Sequence, residues 1–367
     1  MIIRNRSTHA GRLERWLGAG LAEGIAKQTA GWYGPPIPLA GTPGKVYVTG
    51  SGDFVGPIAG GYFSSLMDFY EQRAKRIMRN WQRMQRSKFN TGFASLSDLI
   101  TEATTGGKSQ WLMYQKTGVA GPAATSSAFL WAQGAMPSAG SNAAAAPGGT
   151  VPDNTTNGGF KQADPAGSDT LHLTTWTGLP ATAVGSLMLY DHIFAVNNSL
   201  NATNTAVTGV PTRYQTAASA PGNFVSARVT TVLSATATNL TVTYRDQDNN
   251  VAEAAAAVAA RVSAAVQTIP LTQPAWFIPL NAGDTGLRNI TNVQSSGANT
   301  GVVDWIIGHP LAILPQPQVN VPYILDGINS AFNLIQIQTD ACLALLEYFK
   351  SATGAATYAG QIQLVSG

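Results

Sequence analysis

The chain has 367 residues, enough for one large or two modest domains with a substantial buried core. Only 11% of the residues are charged, under half the usual ~25%, while 44% are apolar, which excludes a solvated disordered coil. The net charge of +3 is uneven: residues 1–90 hold 13 Lys and Arg against 5 Asp and Glu, and the remainder 9 against 14. A basic end of this kind suits nucleic acid, an acidic neighbouring subunit, or the acidic half of another copy. The single cysteine, Cys342, excludes an internal disulfide framework and a multi-cysteine metal site, and its apolar surroundings predict a buried structural thiol. The N-terminus lacks the apolar core of a secretory signal, and no run approaches 18 uninterrupted apolar residues. The expectation is cytoplasmic synthesis without a membrane span.

Residues 1–61 read as an N-terminal arm followed by a strap. Leu13, Trp16, Leu17, Leu21 and Ile25 recur at helical spacing, weakened by four glycines, and prolines at 35, 36, 38, 43 and 57 then forbid regular helix. An extended strap lies across a neighbour, so Trp32, Tyr33, Pro35, Pro36 and Tyr47 are candidate assembly contacts. Residues 62–116 read as a helical region. From Ser65 to Lys88, Phe63, Leu66, Met67, Tyr70, Ala74, Ile77, Met78, Trp81 and Met84 fall on one side at a 3.6-residue period. Arg76, Arg79, Arg83 and Arg86 fall on the other, a candidate surface for phosphate or for an acidic partner. The plain alternative is a solvated face. A short amphipathic piece follows at Ser95–Thr104 and an apolar run at Trp111–Gln115.

Residues 117–169 are rich in Ala, Gly, Ser, Asn and Pro, and predict a long surface loop ordered by a neighbouring subunit. From Leu171 the pattern becomes strand-like: LHLTTW, SLMLYDHIFAV, NFVSARVTTVL and NLTVTYRDQDNN are β-branched and aromatic runs bounded by turn residues. Leu240, Val242 and Tyr244 alternate with polar residues, the mark of one buried face, and Asp246–Asn250 make a turn. Residues 251–267, VAEAAAAVAARVSAAVQ, have the composition of a helix, with a loop and strand pair as the competing reading. WFIPLNAGDTGLRNITNVQSSGANTGVVDWIIGHPLAILP, residues 276–315, gives a short apolar run, a Gly-Asp-Thr-Gly turn and two further strands. Residues 317–367 predict a helix with Phe332, Ile335, Thr339, Cys342, Leu345, Leu346 and Phe349 on one face, FNLIQIQ being strand-like at its start, and then a tail or edge strand. The fold class is α+β, mainly a β-sandwich of about seven strands spanning 170–316, with a helical basic N-terminal region and a C-terminal helix.

No catalytic constellation stands out. His9, His172, His192 and His309 are too widely spaced for a local metal pair, and His192 and His309 read as satisfied core or edge histidines. There is no H-E-x-x-H or G-x-S-x-G, and GSGDFVG at 50–56 is a turn, not a phosphate loop. Asp246, Asp248 and Asp284 have the residue type for glycoside cleavage, but Asp beside Gly and Asn serves turns far more often. The expectation is a non-enzymatic protein without cofactor or metal.

AGDTGLRNITNVQSS, TGVVDWIIGHPLAILP and TVTYRDQDNN, set in a charge-poor Ala/Gly/Thr-rich chain, resemble virion structural proteins of tailed bacteriophages. The resemblance covers roughly residues 170–316. Gly283, Asp284, Gly286 and Arg288 match a turn that closes a β-sandwich, and Pro310, Leu311 and Ala312 match the exit of its last strand. The Ala-rich insertion at 251–267 departs from the pattern. The resemblance implies a capsid decoration or minor head protein located in the virion, forming homo-oligomers such as trimers and contacting other virion proteins. The alternatives are a major capsid or neck and tail component, a protein touching packaged DNA through its arginine-rich helix, and a carbohydrate-binding tail module.

Overall fold

The computed structural model describes residues 47–48, 54–55, 93–120, 127–182, 184–272, 275–328, 334–348 and 355–367. The chain divides into two compact units, Met1–Gln85 and Arg86–Gly367. In the first, the described residues form two short antiparallel strands, β1 (Tyr47–Val48) and β2 (Phe54–Val55). The arm helix, most of the strap and the basic helix lie outside the described residues, and with them Trp32, Tyr33, Pro35, Pro36, Arg76, Arg79, Arg83 and Arg86.

The second unit opens on α1 (Leu96–Thr104), the amphipathic piece seen in the sequence. Ser95 is its N-cap, accepting a hydrogen bond from the Asp98 N–H at 3.1 Å. Three antiparallel sheets follow. The middle sheet runs, from edge to edge, through β4 (Ala128–Phe129), β16 (Leu343–Tyr348), β6 (Gly185–Asn201), β13 (Ala298–Gln316) and β8 (Phe224–Thr231). The second consists of β10 (Glu253–Ala254), β9 (Asn239–Asp246), β12 (Leu287–Ser295) and β7 (Thr205–Ala206), with β11 (Val258–Ala259) also on β9. The third consists of β14 (Tyr323–Asp326), β5 (Leu171–Pro180), β17 (Thr357–Ser366) and β3 (Ser109–Thr117), with β15 (Ile335–Ile337) also on β5.

The middle sheet is buried on both faces. Val196, Val229, Val303 and Trp305 pack against Val242, Tyr244, Ile290 and Val293 of the second sheet. Leu187, Leu189, Leu343 and Leu345 pack against Trp176, Ile362 and Leu364 of the third. Side chains alternate across a strand, so Leu187 and Leu189 enter one core while Met188 and Tyr190 enter the other. A strand buried on both sides must be apolar at nearly every position, which is why SLMLYDHIFAV reads as an unbroken run.

Several sequence expectations are corrected here. The C-terminal helix is absent from the described residues: Ile335–Ile337 and Leu343–Tyr348 are strands. ACLALLEY is apolar at both parities because both faces of β16 are buried, and such a run fits a helical stripe equally well. The predicted tail or edge is β17, ten residues long and paired on both sides, by β3 and β5. Residues 251–267 follow the competing reading of loop and strand pair. Positive φ angles at Ala252 (63°), Ser263 (52°) and Gln267 (72°) interrupt any helix, and Ala255, Ala260 and Ala264 are buried in the core. Apart from β4, residues 127–169 are irregular as expected but lie on their own core, with Phe129, Leu130, Trp131 and Phe160 buried. Leu130 N–H donates to Leu345 O at 2.9 Å and Phe160 N–H to Leu343 O at 2.8 Å. The strands exceed the seven expected, and the sheets draw on residues 109–117 and 335–366 as well as 170–316.

Candidate functional site

The three stretches that carried the resemblance meet at one corner. The turn after β9 and the turn before β12 interlock through Gln247 and Arg288. Arg288 donates from Nε at 3.0 Å and Nη2 at 2.8 Å to the carbonyl of Gln247. The side-chain oxygen of Gln247 accepts in return from the N–H groups of Thr285 (3.1 Å) and Gly286 (3.3 Å). The Tyr244 hydroxyl donates to Asp284 and accepts from the Asn281 N–H at 2.8 Å. Gly283, at φ +104°, supplies a conformation that residues with a Cβ rarely adopt. At Gly286 the Ala220 carbonyl approaches so closely that a Cβ would collide with it.

The exit of β13 reaches the same corner. His309 stacks on Tyr214, ring centroids 4.1 Å apart, and its Nδ1 lies 2.9 Å from Asn223 Oδ1. Asn223 Nδ2 donates to Leu287 O at 2.8 Å, which leaves Oδ1 as an acceptor and puts the proton on His309 Nδ1. Burial pushes the His309 pKa down to about 4, so the ring is neutral near pH 7. Beside it runs a groove of about 420 Å³, walled by Phe224, Trp276, Phe277, Pro279 and Pro310, with Asp284 at its rim.

The carboxylates of the corner have structural partners. Burial would raise the Asp246 pKa, but the Asn250 side chain and backbone N–H, both at 2.7 Å, outweigh it and hold that carboxyl below its ordinary value. Asp248 accepts from Gln247 Nε2 at 2.9 Å. Gly283, Asp284, Gly286 and Arg288 are thus brought together as a turn. Among the described residues no three His, Cys, Asp or Glu side chains are grouped to hold a metal ion.

Sequence reasoning missed the buried ionic network of the middle sheet. Arg213 grips Asp191 with Nε at 2.9 Å and Nη2 at 2.8 Å, and reaches the carbonyls of Pro152 (3.0 Å) and His192 (3.1 Å). Burial opposes the charge on Arg213, yet the hydrogen bonds it donates to Asp191 hold its pKa above the ordinary value. Arg228 pairs with Asp304 and donates to Gln267 Oε1 at 2.7 Å, while Asp304 also accepts from Asn197 Nδ2 at 2.7 Å. Lys116 is buried, its ammonium donating to the carbonyls of Gln133 and Pro137, both at 2.7 Å. Burial lowers its pKa to about 8. The available signal was a charge inside an apolar strand, as in LYDHIF and VVDWII; the partners lie 22 and 76 positions away and could not be paired from sequence.

His192 sits among these ions, edge-on to Trp131 with ring centroids 4.5 Å apart. It is a core histidine as expected, but not a satisfied one: neither ring nitrogen has a hydrogen-bond partner. Burial, reinforced by Arg228 and Arg213, pushes its pKa down to about 3. It lines a cavity of about 180 Å³ together with Trp131, Thr150, Thr156 and Asp304. Cys342 is buried as expected, at the start of the β16 segment, and burial raises its thiol pKa well above the ordinary value.

No protein-family model and no curated protein matches this sequence. Among solved structures, the chain is similar to the VP2 subviral particle of infectious bursal disease virus, at 10% identity over 73% of this chain and 86% of that one, with a TM-score of 0.14. A structure of the Gt strain of infectious bursal disease virus gives 11% identity over 76% and 84%, with a TM-score of 0.13. TM-scores this low carry no argument for a shared fold or function.

Proposed function

We propose that this protein is a non-enzymatic structural component of a virion, of the capsid decoration or minor head type in a tailed bacteriophage, that works by assembling with other copies of itself. The observation that supports this most is the interlocked corner. The stretches TVTYRDQDNN, AGDTGLRNITNVQSS and GHPLAILP, which carry the resemblance, build one unit in which the side chains of Arg288, Gln247 and Asn223 hold backbone groups and Asp284 holds the Tyr244 hydroxyl. These polar residues fix the shape of a β-stack and the walls of an apolar groove at its surface, which suits a protein whose work is to fit neighbours. The charge-poor composition agrees, since neutral surfaces pack against one another with little desolvation penalty.

Electron microscopy of the purified full chain tests the reading. Uniform oligomers or closed shells are expected. Single 38.3 kDa particles at every concentration would count against it.

A further inference from the structure

We infer that the outer face of the third sheet is a contact surface between two copies of this chain; the inference rests on the self-assembling role proposed above and names the surface that serves it. On β3, Leu112, Tyr114 and Lys116 point inwards, so Trp111, Met113 and Gln115 point out. The register sets out the face row by row. Met113 lies opposite Gln361, Gln361 opposite Thr177 and Thr177 opposite Ile324. Trp111 lies opposite Gln363, then Thr175, then Asp326. The large side chains on it are open to solvent: Trp111 is 52% exposed, Met113 63% and Ile324 66%.

Such a face departs from an ordinary solvated one. The water-facing side of an antiparallel sheet alternates apolar-in with polar-out, and Lys and Glu are what keep it soluble and single. Here the two rows carry Thr, Gln, Trp, Met and Ile, with one charge, Asp326, at the β14 edge. One end of the face is covered already: Val365 and His172 lie under Phe93 and α1, whose own Leu96 and Ile100 are exposed.

The charge pattern selects the occupant. A charged partner would find nothing on these rows to pair with, apart from the rim Asp326. A second copy meets neutral residues with neutral residues over the middle of the face and leaves Asp326 at the rim, in reach of water, which keeps the like-charge penalty of a two-fold contact small. The long strands β3, β17 and β5 at about 4.8 Å spacing, about eight residues each at about 3.3 Å, with the four-residue β14 beside them, give roughly 400 Å² of flat face. Side-chain relief adds to this, which suits a concentration-dependent contact at the low end of interface size. The contact adds a fourth sheet to a stack that already packs sheet on sheet twice.

Light scattering coupled to size-exclusion chromatography of the full chain, with Trp111→Lys, Met113→Glu and Ile324→Glu made singly, tests this. Val210→Lys, at a 54% exposed position off the face, serves as control. All four positions are exposed, and an unchanged urea midpoint confirms that each variant is folded. The inference expects the wild type and the control to self-associate alike, and each face variant to raise the dissociation constant about 30-fold or more. Wild-type association that persists in all three folded face variants overturns the inference and leaves the proposed function standing. A wild type that remains monomeric throughout overturns both.

Discussion

Arg213 and Asp191 form a bidentate ion pair in the interior, Nε to Oδ2 at 2.9 Å and Nη2 to Oδ1 at 2.8 Å, joining the segment after β7 to the centre of β6. Asp191 Oδ1 also accepts from the Cys342 N–H at 2.9 Å, so the pair ties in the entry to β16. Removing one partner strands the other charge in the core. Arg213→Met is expected to lower unfolding free energy by about 3–5 kcal/mol. Urea denaturation should show the double variant Arg213→Met/Asp191→Leu recovering much of that loss.

The corner makes a second prediction. Arg288→Lys keeps the charge but cannot hold the Gln247 carbonyl with two donors in one plane, and should cost about 1–2 kcal/mol. Gly286→Ala drives a methyl into the Ala220 carbonyl and should cost about 1–3 kcal/mol. Thermal melting of both variants checks this, and equal stability to wild type would mean that the two turns are not interlocked in solution.

The histidines set an acid limit. His192 and His309 have folded pKa values lowered to about 3 and about 4 from an ordinary 6.5. Below pH 6.5 the unfolded chain therefore binds protons that the folded chain refuses, and stability falls as pH falls towards those values. Each contributes up to about 1.4 kcal/mol per pH unit in that window. His192→Phe should flatten the decline between pH 6.5 and 4 in urea titrations at stepped pH; an unaltered slope would show that the ring is hydrated and free to protonate.

Burial of Cys342 predicts a thiol inert to Ellman's reagent in the native protein and reactive in urea. Rapid native labelling would show that the β16 entry opens readily.

The strands from Leu171 to Asp246 and the two after Gly286 were legible because their alternation and turn residues agree with the fold. Residues 343–348 were not, because a strand buried on both faces loses the period-2 signal. The Ala-rich run 251–267 misled in the opposite sense: alanine favours helix locally, but small side chains also let a chain lie close against β9, and packing overrode propensity. At the corner, Gly283 and Asp284 announced a turn, whereas Gln247 as the counterpart of Arg288 could emerge only once β9 and β12 were paired. The buried ions were visible as isolated charges in apolar runs, and only the fold supplies their partners.

Sedimentation velocity on the full chain across a hundredfold concentration range tests whether the protein assembles with itself. A discrete species larger than the monomer, growing in proportion with concentration, is expected. A single monomer boundary at every concentration would contradict it.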